Sequence, residues 1–422
     1  MFGLPKSGEG IGFRRLLEFC DRQQIDLEAL GRTSIVITGS NGKGSTARFL
    51  YECLRGSVER IGLFTSPHLW DVRERFEVSG TRIDDATLDG YVRRIRSCID
   101  GLGAFELLFL VAVSWFHDRG VTCAVWEAGI GGRYDPVRVL RSPLSALTSV
   151  DLEHTELLGA TKQLIAFDKL DVTRPFGRTF VSPAVDSALE PELEAFARVT
   201  DRSLTFVSRE AAIADVRNDR ESMRYTMAVP GRRERLEVTI PLLGMHQVHN
   251  SATAIHLASA HHPGWNPEAG LEAWRRMEWH GRLEKIAENP ETWIDVGHTP
   301  EAVERACETL ESLFDPAELL VVFGVSANKS VAGIASIINR RFRRVILTRA
   351  YKGGFDARRL AAEHFDPSRI AGVTGTVEDA VELSRSLAGR HGLPIAVLGG
   401  LFLAIEFAHA WRGEDPRTLD FF

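Results

Sequence analysis

The sequence predicts an α/β fold in two units, and three observations support this. Short runs of Val, Ile and Leu alternate with helical patterns along most of the chain, which is typical of helices that cover a parallel sheet. Alternating apolar residues and turn signals at about 200–240 predict a small antiparallel excursion. A polar stretch at 287–292 is interpreted as the linker between a first unit, 1–286, and a smaller second unit, 287–422.

Length and composition are those of an ordinary globular protein. The 422 residues suffice for two or three domains, with 44% hydrophobic and 26% charged residues. A net charge of −6 without a basic run argues against nucleic acid, and no apolar segment is long enough to span a bilayer. The first residues lack the apolar core of a signal peptide, and five scattered cysteines without a CxxC pair suit reduced thiols. We therefore expect a cytoplasmic monomer with no nucleic-acid or membrane partner.

A glycine-rich loop joins the first strand to the helix that follows it. The apolar run IVIT at 35–38 predicts a buried strand, GSNGKGST at 39–46 follows, and a helical pattern begins at 47. This arrangement points backbone N–H groups and a helix dipole at an anion, so it is typical of a phosphate site. Lys43 is placed to reach the outer phosphates and Ser45 to bind Mg²⁺, although the spacing differs from the common G-x-x-x-x-G-K-[ST] form. The alternative is a glycine-rich turn without a ligand.

Four further segments end in polar residues that suit a ligand site. They are strand 60–64 with Ser66 and His68, strand 121–126 with Glu127, strand 144–150 with His154, and helix 161–170 with Lys169. Because α/β sheets bind ligands at the carboxyl ends of their strands, we expect the strand-end side chains to face the crevice of the glycine-rich loop. The alternatives are a solvated strand-end charge for Glu127 and a structural role for His154. Only seven of the 51 basic residues are lysines, which weakly favours functional roles for Lys43 and Lys169.

The remaining pattern completes the two units. Helices are predicted at 11–30, 84–102, 105–119 and 246–260, and a loop or edge strand that carries Arg75 at 72–78. Strands at 293–296, 319–323, 344–348 and 394–398 alternate with helices and form the second unit, whose sheet we expect to be mainly parallel. His298 directly follows the first of these strands.

These motifs resemble those of the dihydrofolate synthase/folylpolyglutamate synthase family, within the wider Mur-type amide ligases. GSNGKGS resembles the family's GTNGKGS, LFTSPHL its TSPHL, and WEAGIGGRYD its EVGLGGRLDATN. SVDLEHTELLG, FDKLDV, LLGMHQVHNSATA, WHGRLE, IDVGHTP and VLGGLFLAIE follow in the family's order, through nearly the whole chain. The resemblance implies a P-loop central domain of the Mur-ligase type and a smaller Rossmann-like C-terminal domain. It also implies an ATP-dependent ligase with two Mg²⁺ sites, most simply adding glutamate to a pteroate- or folate-like acid through an acyl phosphate.

The resemblance further implies roles for individual residues. The nucleotide would contact Asn41, Gly42, Lys43, Gly44, Ser45, Thr46, Asn250, Arg282, Asp295 and His298. The metals would be held by Ser45, Ser66, Glu127 and His154, and the reaction would depend on Lys43, Glu127, His154 and Lys169, the last of which matches a carbamylated lysine. The acid or amine would contact His68, Arg75, Arg133 and Asp135.

Departures from the family pattern lie near the substrates. The family's DATN becomes DPVR at 135–138, DGAHNP becomes DVGHTP with Thr299 for asparagine, EKAGI becomes DKLDV, and a serine becomes Gly400. The same reaction on a non-folate acid or a different amine is therefore the nearest alternative. A regulatory or scaffold protein that binds nucleotide without ligating, and a P-loop ATPase coupled to mechanical work, are further alternatives.

Overall fold

Two large sheets, each covered by helices, organise the chain. The computed structural model describes residues 4–5, 8–10 and 12–419. The first unit contains an eight-stranded sheet and a small three-stranded sheet, and the second unit contains a six-stranded sheet. The α/β class and the parallel character of both large sheets confirm the prediction from the strand–helix alternation.

The first sheet has the strand order β4-β3-β2-β5-β1-β6-β7-β8. Its strands are β1 (Ser34–Thr38), β2 (Ile61–Phe64), β3 (Phe76–Val78), β4 (Thr81–Arg82), β5 (Cys123–Glu127), β6 (Leu144–Leu147), β7 (Arg178–Val181) and β8 (Ser203–Phe206). Its antiparallel pairings, β2 with β3 and β3 with β4, lie at one edge. The central strands β1 and β5 are fully buried, as expected for continuous apolar runs covered by helices on both faces.

Eleven helices accompany this sheet in the described part of the chain. They are α1 (Phe13–Arg22), α2 (Leu27–Arg32), α3 (Lys43–Arg55), α4 (Asp85–Arg96), α5 (Ala104–Asp118), α6 (Thr155–Leu158), α7 (Lys162–Leu170), α8 (Glu190–Val199), α9 (Val207–Glu210), α10 (Met245–His261) and α11 (Pro267–Trp274). The prediction of one helix at 11–30 is wrong, because the chain turns between α1 and α2 at Gln24, whose φ is 57°. Asp26 then caps α2 by accepting from Ala29 N.

The antiparallel excursion is a three-stranded sheet of β9 (Ala214–Asn218), β10 (Met223–Met227) and β11 (Leu236–Ile240). The predicted antiparallel excursion is confirmed, but it covers 214–240 instead of about 200–240, because β8 belongs to the large sheet. Apolar residues on one face of β10 and β11 pack into the same core cluster as α3 and α10. The excursion is therefore part of the layer that supports the glycine-rich loop.

The second unit has the strand order β12-β13-β17-β14-β15-β16. Its strands are β12 (Glu284–Glu288), β13 (Glu291–Ile294), β14 (Leu320–Phe323), β15 (Arg344–Leu347), β16 (Ile370–Val373) and β17 (Ile395–Leu398), and its helices are α12 (Pro300–Leu313), α13 (Val331–Arg341), α14 (Ala357–His364), α15 (Val377–His391) and α16 (Leu401–Trp411). The polar stretch at 287–292 is not a linker. It comprises the end of β12, the turn at 289–290 and the start of β13 in an antiparallel hairpin, and it is polar because β12 is an edge strand that faces solvent.

No helix in the described ranges is long and apolar enough to cross a membrane. All five cysteines are free, and four of them are buried.

Candidate active site

The glycine-rich loop folds into the conformation that its glycines permit. Gly42 has a φ of 85° and precedes α3, and a Cβ at this position would lie 2.5 Å from Asn250 Oδ1. The main chain of Asn41 is held by the end of β6: its N–H donates to Ser149 Oγ at 2.8 Å, and its carbonyl accepts from Thr148 Oγ1 at 2.6 Å. The loop is thus fixed against the end of β6 just before α3 begins.

Three polar atoms of the glycine-rich loop and the first turn of α3 are buried and have no partner among the described residues. They are Asn41 Nδ2, Ser45 Oγ and Thr46 Oγ1. Buried polar atoms are normally hydrogen-bonded, so three orphans at one loop indicate that a ligand completes them. Hydroxyls and an amide at a helix N-terminus suit phosphate oxygens and a hard cation, so the residues present fit a nucleotide with Mg²⁺.

Lys43 is a cation that interacts electrostatically with several titratable groups of this region. Its Nζ donates to the carbonyls of Gly39 at 2.8 Å and Ser40 at 3.3 Å. Its charge acts on the pKa values of several titratable groups, namely Glu127, Asp135, Glu153, His154, Lys169 and His298. The structure therefore gathers the residues predicted for the reaction, Glu127, His154 and Lys169, within electrostatic reach of Lys43.

Glu127 lies at the carboxyl end of β5, against the start of α3. Its Oε2 accepts from Ser66 N at 2.8 Å and would lie 3.2 Å from a Cβ on Gly44. Burial raises the pKa of Glu127, while the charge of Lys43 and the hydrogen bond from Ser66 oppose that rise. A buried carboxylate beside a lysine and a phosphate loop is placed to bind a cation.

A cleft of about 1040 Å³, open to solvent, separates this edge of the first unit from the second unit. Eleven residues predicted from the sequence line it: Asn41, Gly42, Lys43, Gly44, Ser45, Ser66, Glu127, Asn250, Arg282, Asp295 and His298. The predicted residues outside its wall are Thr46, His68, Arg75, Arg133, Asp135, His154 and Lys169. The nucleotide set is thus almost complete in the cleft, whereas the substrate set is absent from its wall.

The second unit contributes Asp295 and His298 to the cleft, and Arg282, just before β12, is the cation that faces Asp295. Asp295 accepts from Leu283 N at 3.0 Å and from Gly297 N at 2.7 Å. Burial raises the pKa of Asp295 and lowers that of Arg282, and each charge opposes the shift of the other. Burial and then the charge of Lys329 lower the pKa of His298 to about 4, so its imidazole is neutral at pH 7.

The four residues predicted to contact the acid or amine are engaged within the protein. Arg75 Nε donates to His68 Nδ1 at 2.9 Å, and both side chains are buried. Arg133 Nε donates to Asp171 Oδ2 at 2.6 Å. Asp135 accepts from three backbone N–H groups, those of residues 129, 130 and 137, and burial raises its pKa to about 6. These four side chains thus have protein partners, and their contact with the acid or amine stays a prediction.

The predicted metal set is divided in the same way. Ser45, Ser66 and Glu127 reach the cleft, but the side chain of His154 is exposed to solvent outside its wall. Within 12–419 and the short described segments before it, no three His, Cys, Asp or Glu side chains gather as a metal site. A cation here would need hydroxyl, phosphate or water oxygens in addition to Glu127, which suits Mg²⁺.

Sequence analysis did not single out two residues that the structure places at the site. Glu153 accepts from Lys169 Nζ at 2.9 Å, and the side chain of Lys169 is only 1% exposed. Arg305 lines the cleft from α12. Glu153 could have been predicted from the sequence because it directly precedes His154. Arg305 could not, because whether it points to the cleft depends on how α12 is oriented.

Comparisons with known proteins agree with these features. A family model for the Mur ligase, glutamate ligase domain matches residues 275–399. The chain is 30% identical over 413 residues to folylpolyglutamate synthase of Lacticaseibacillus casei, covering 93% of this chain and 94% of that relative. It is 33% identical over 396 residues, 92% of this chain, to a probable bifunctional folylpolyglutamate synthase/dihydropteroate synthase of Halobacterium salinarum. The chain spans about half the length of that bifunctional relative, 48%.

A solved structure shows the same fold over nearly the whole chain. Folylpolyglutamate synthase of Mycobacterium tuberculosis complexed with ADP superposes with a TM-score of 0.87 at 25% identity, covering 97% of this chain and 96% of that chain. The motif order, the two-unit architecture and these similarities lead to one conclusion: the chain belongs to the folylpolyglutamate synthase/dihydrofolate synthase family of the Mur ligase superfamily.

Proposed function

We propose that this protein is an ATP-dependent ligase that joins the carboxylate of an acid to the amine of an amino acid, most simply glutamate to a pteroate- or folate-like acid. The observation that carries the proposal is the loop with three unpartnered buried polar atoms, which faces a cleft between two units. Membership of a family whose relatives are named folylpolyglutamate synthases supports the substrates. The two units proposed from the sequence are part of this proposal, with the cleft between them; their boundary lies before β12, which begins at Glu284, and not at 286/287 as predicted.

The chemistry assigned to the site follows from its charges. The acid's carboxylate oxygen attacks the γ-phosphorus of ATP, which releases ADP and forms an acyl phosphate. The amine then attacks the acyl carbon, and phosphate leaves as the amide forms and the amine loses a proton. Both steps concentrate negative charge on phosphoryl oxygens, which Lys43 and Arg282 are placed to stabilise. Mg²⁺ would supply further charge neutralisation at two sites, held by Ser45 at the first and by Ser66 and Glu127 at the second, with phosphate or water oxygens as the other ligands.

The acid and the amine must both be present for turnover. We expect ADP release by the full chain to require ATP, dihydropteroate or a folate, and glutamate together, with a product heavier by one glutamyl residue in mass spectrometry. Reactions that lack one substrate are the controls. ADP release that is independent of the acid and the amine would contradict the ligase proposal.

The nearest alternative is the same reaction on another acid or amine. Pro136 and Gly400 stand where the family has other residues near the substrates. Both carboxylate oxygens of Asp135 already accept from backbone N–H groups. A panel of carboxylic acids and amino acids, assayed by ADP release and mass spectrometry, separates the two. Efficient glutamylation of dihydropteroate or a folate would remove the alternative.

We propose that Lys169 is carbamylated in the working enzyme. Burial lowers the pKa of Lys169, which favours the neutral amine that reacts with carbon dioxide, and Lys43 and Glu153 are its charged neighbours. Lys169→Ala is expected to lose activity that small carboxylates partly restore, and Lys169→Arg, which keeps the charge but forms no carbamate, should stay inactive.

The competing possibility is an ammonium that serves only as the partner of Glu153. It predicts activity in Lys169→Arg and no rescue of Lys169→Ala. An unmodified lysine in the native mass spectrum of the active enzyme would contradict the carbamate.

A further inference from the structure

We propose that Thr299 is a positioning residue that holds the second unit against the glycine-rich loop and thereby strengthens ATP binding. Thr299 Oγ1 donates to Asn41 Oδ1 at 3.3 Å, across 258 positions of sequence. The bond joins the two walls of the cleft. The inference rests on the proposed function, because it assigns Thr299 a part in nucleotide binding.

Thr299 is suited to this position because a hydroxyl both donates and accepts. It is the N-cap of α12, where its Oγ1 accepts from Ala302 N at 3.2 Å, and it is 7% exposed. The same oxygen therefore fixes the first turn of α12 and donates its hydrogen to Asn41. A valine of the same shape would do neither.

The contact bears on nucleotide binding because Asn41 is the residue that accepts the hydrogen bond. Its main chain is tied to Ser149 and Thr148 in the first unit, so only its amide is able to respond to the second unit. The amide oxygen takes the bond from Thr299, and Nδ2 has no partner among the described residues. Thr299 thus sets the orientation in which Asn41 presents its free N–H group.

The bond also positions the rest of the second wall. His298 directly precedes Thr299, and α12 brings Ala302 and Arg305 to the cleft. Without the bond, fewer molecules have both walls in the binding arrangement, and the apparent affinity for nucleotide falls with that fraction. Saturating ATP restores the arrangement, so we expect the KM for ATP to rise while kcat changes little.

Calorimetric titration with a β,γ-methylene analogue of ATP and Mg²⁺ tests the inference on the full chain without requiring turnover. Thr299→Val should raise the Kd roughly 3- to 10-fold, the range of one hydrogen bond. Thr299→Ser, which keeps the hydroxyl, should retain the wild-type Kd. The matched control is Thr376→Val at the N-cap of α15, where Thr376 Oγ1 also accepts at 3.2 Å, from Asp379 N, away from the cleft. It should lower the melting temperature as Thr299→Val does, with the wild-type Kd.

A double-mutant cycle identifies the route of the effect. If Thr299 acts through Asn41, the double variant Asn41→Ala/Thr299→Val should have the same Kd as Asn41→Ala alone. If Thr299 contacted the nucleotide directly, Thr299→Val would raise the Kd of Asn41→Ala by the same factor as it raises that of the wild type, which would overturn the inference. A wild-type Kd in Thr299→Val, or a Kd in Thr299→Ser as weak as that of Thr299→Val, would also overturn it. Failure of the wild-type protein to bind the analogue would instead contradict the proposed function.

Discussion

Lys43→Ala is expected to reduce ATP-dependent product formation by roughly 10²- to 10³-fold, about 3–4 kcal/mol of transition-state stabilisation. Lys43 begins α3, lines the cleft, and acts electrostatically on Glu127, Lys169 and His298. In the proposed reaction, removing Lys43 takes away a cation of the cleft wall that would stabilise the developing charge on the phosphoryl oxygens. Steady-state ADP release measures the loss.

The fold should survive this change, because the hydrogen bonds lost are two from Nζ to carbonyls of the loop. A melting curve checks this. The control is Lys352→Ala, another of the seven lysines, which is exposed and lies outside the cleft wall. Full ligation by Lys43→Ala would show that the loop does not hold the phosphates.

Glu127→Gln should lower ligation about 100-fold or more, because an amide oxygen is a much poorer ligand for Mg²⁺ than a carboxylate. Gln keeps an oxygen that accepts from Ser66 N, so the local geometry is preserved. The measurement is ADP release in the presence of acid and amine, titrated with Mg²⁺. Wild-type activity of Glu127→Gln at every Mg²⁺ concentration would show that Glu127 is not a ligand of Mg²⁺.

The same substitution should stabilise the metal-free protein at neutral pH. Burial raises the folded-state pKa of Glu127 above its unfolded value, so the wild type loses stability as the pH rises through the window between the two. Gln does not ionise, so Glu127→Gln should melt at a higher temperature than the wild type above that window, including at pH 7. Below the unfolded pKa of Glu127, the two proteins should melt at the same temperature.

Glu406→Gln is the matched control for this stability effect. Glu406 is also buried, its pKa is also raised by burial, and it accepts from the backbone N–H groups of Tyr351 and Lys352. It lies outside the cleft wall. Glu406→Gln should show the same pH-dependent gain with full ligase activity. A gain in melting temperature for Glu406→Gln alone would mean that Lys43 and Ser66 fully compensate the charge of Glu127.

Local sequence patterns were sufficient for the elements that carry the phosphate site. The strand and the glycine-rich turn depend on neighbouring residues only, and they form as predicted. The helix begins at Lys43, four residues before the predicted start at 47, because Gly42, with a φ of 85°, already completes the turn. The break at Gln24 and the hairpin at 284–294 were missed because they depend on a single φ value and on the pairing of an edge strand. Polarity alone does not distinguish such an edge from a linker.

The sequence by itself determined the α/β class, the family and the glycine-rich loop that lines the cleft, because these depend on motifs whose residues are close in the chain. The tertiary structure alone decided which side chains share the cleft. It turned Arg75, Arg133 and Asp135 toward protein partners. It also brought Thr299 to Asn41, since contacts between distant segments depend on how two units pack, which no local pattern encodes.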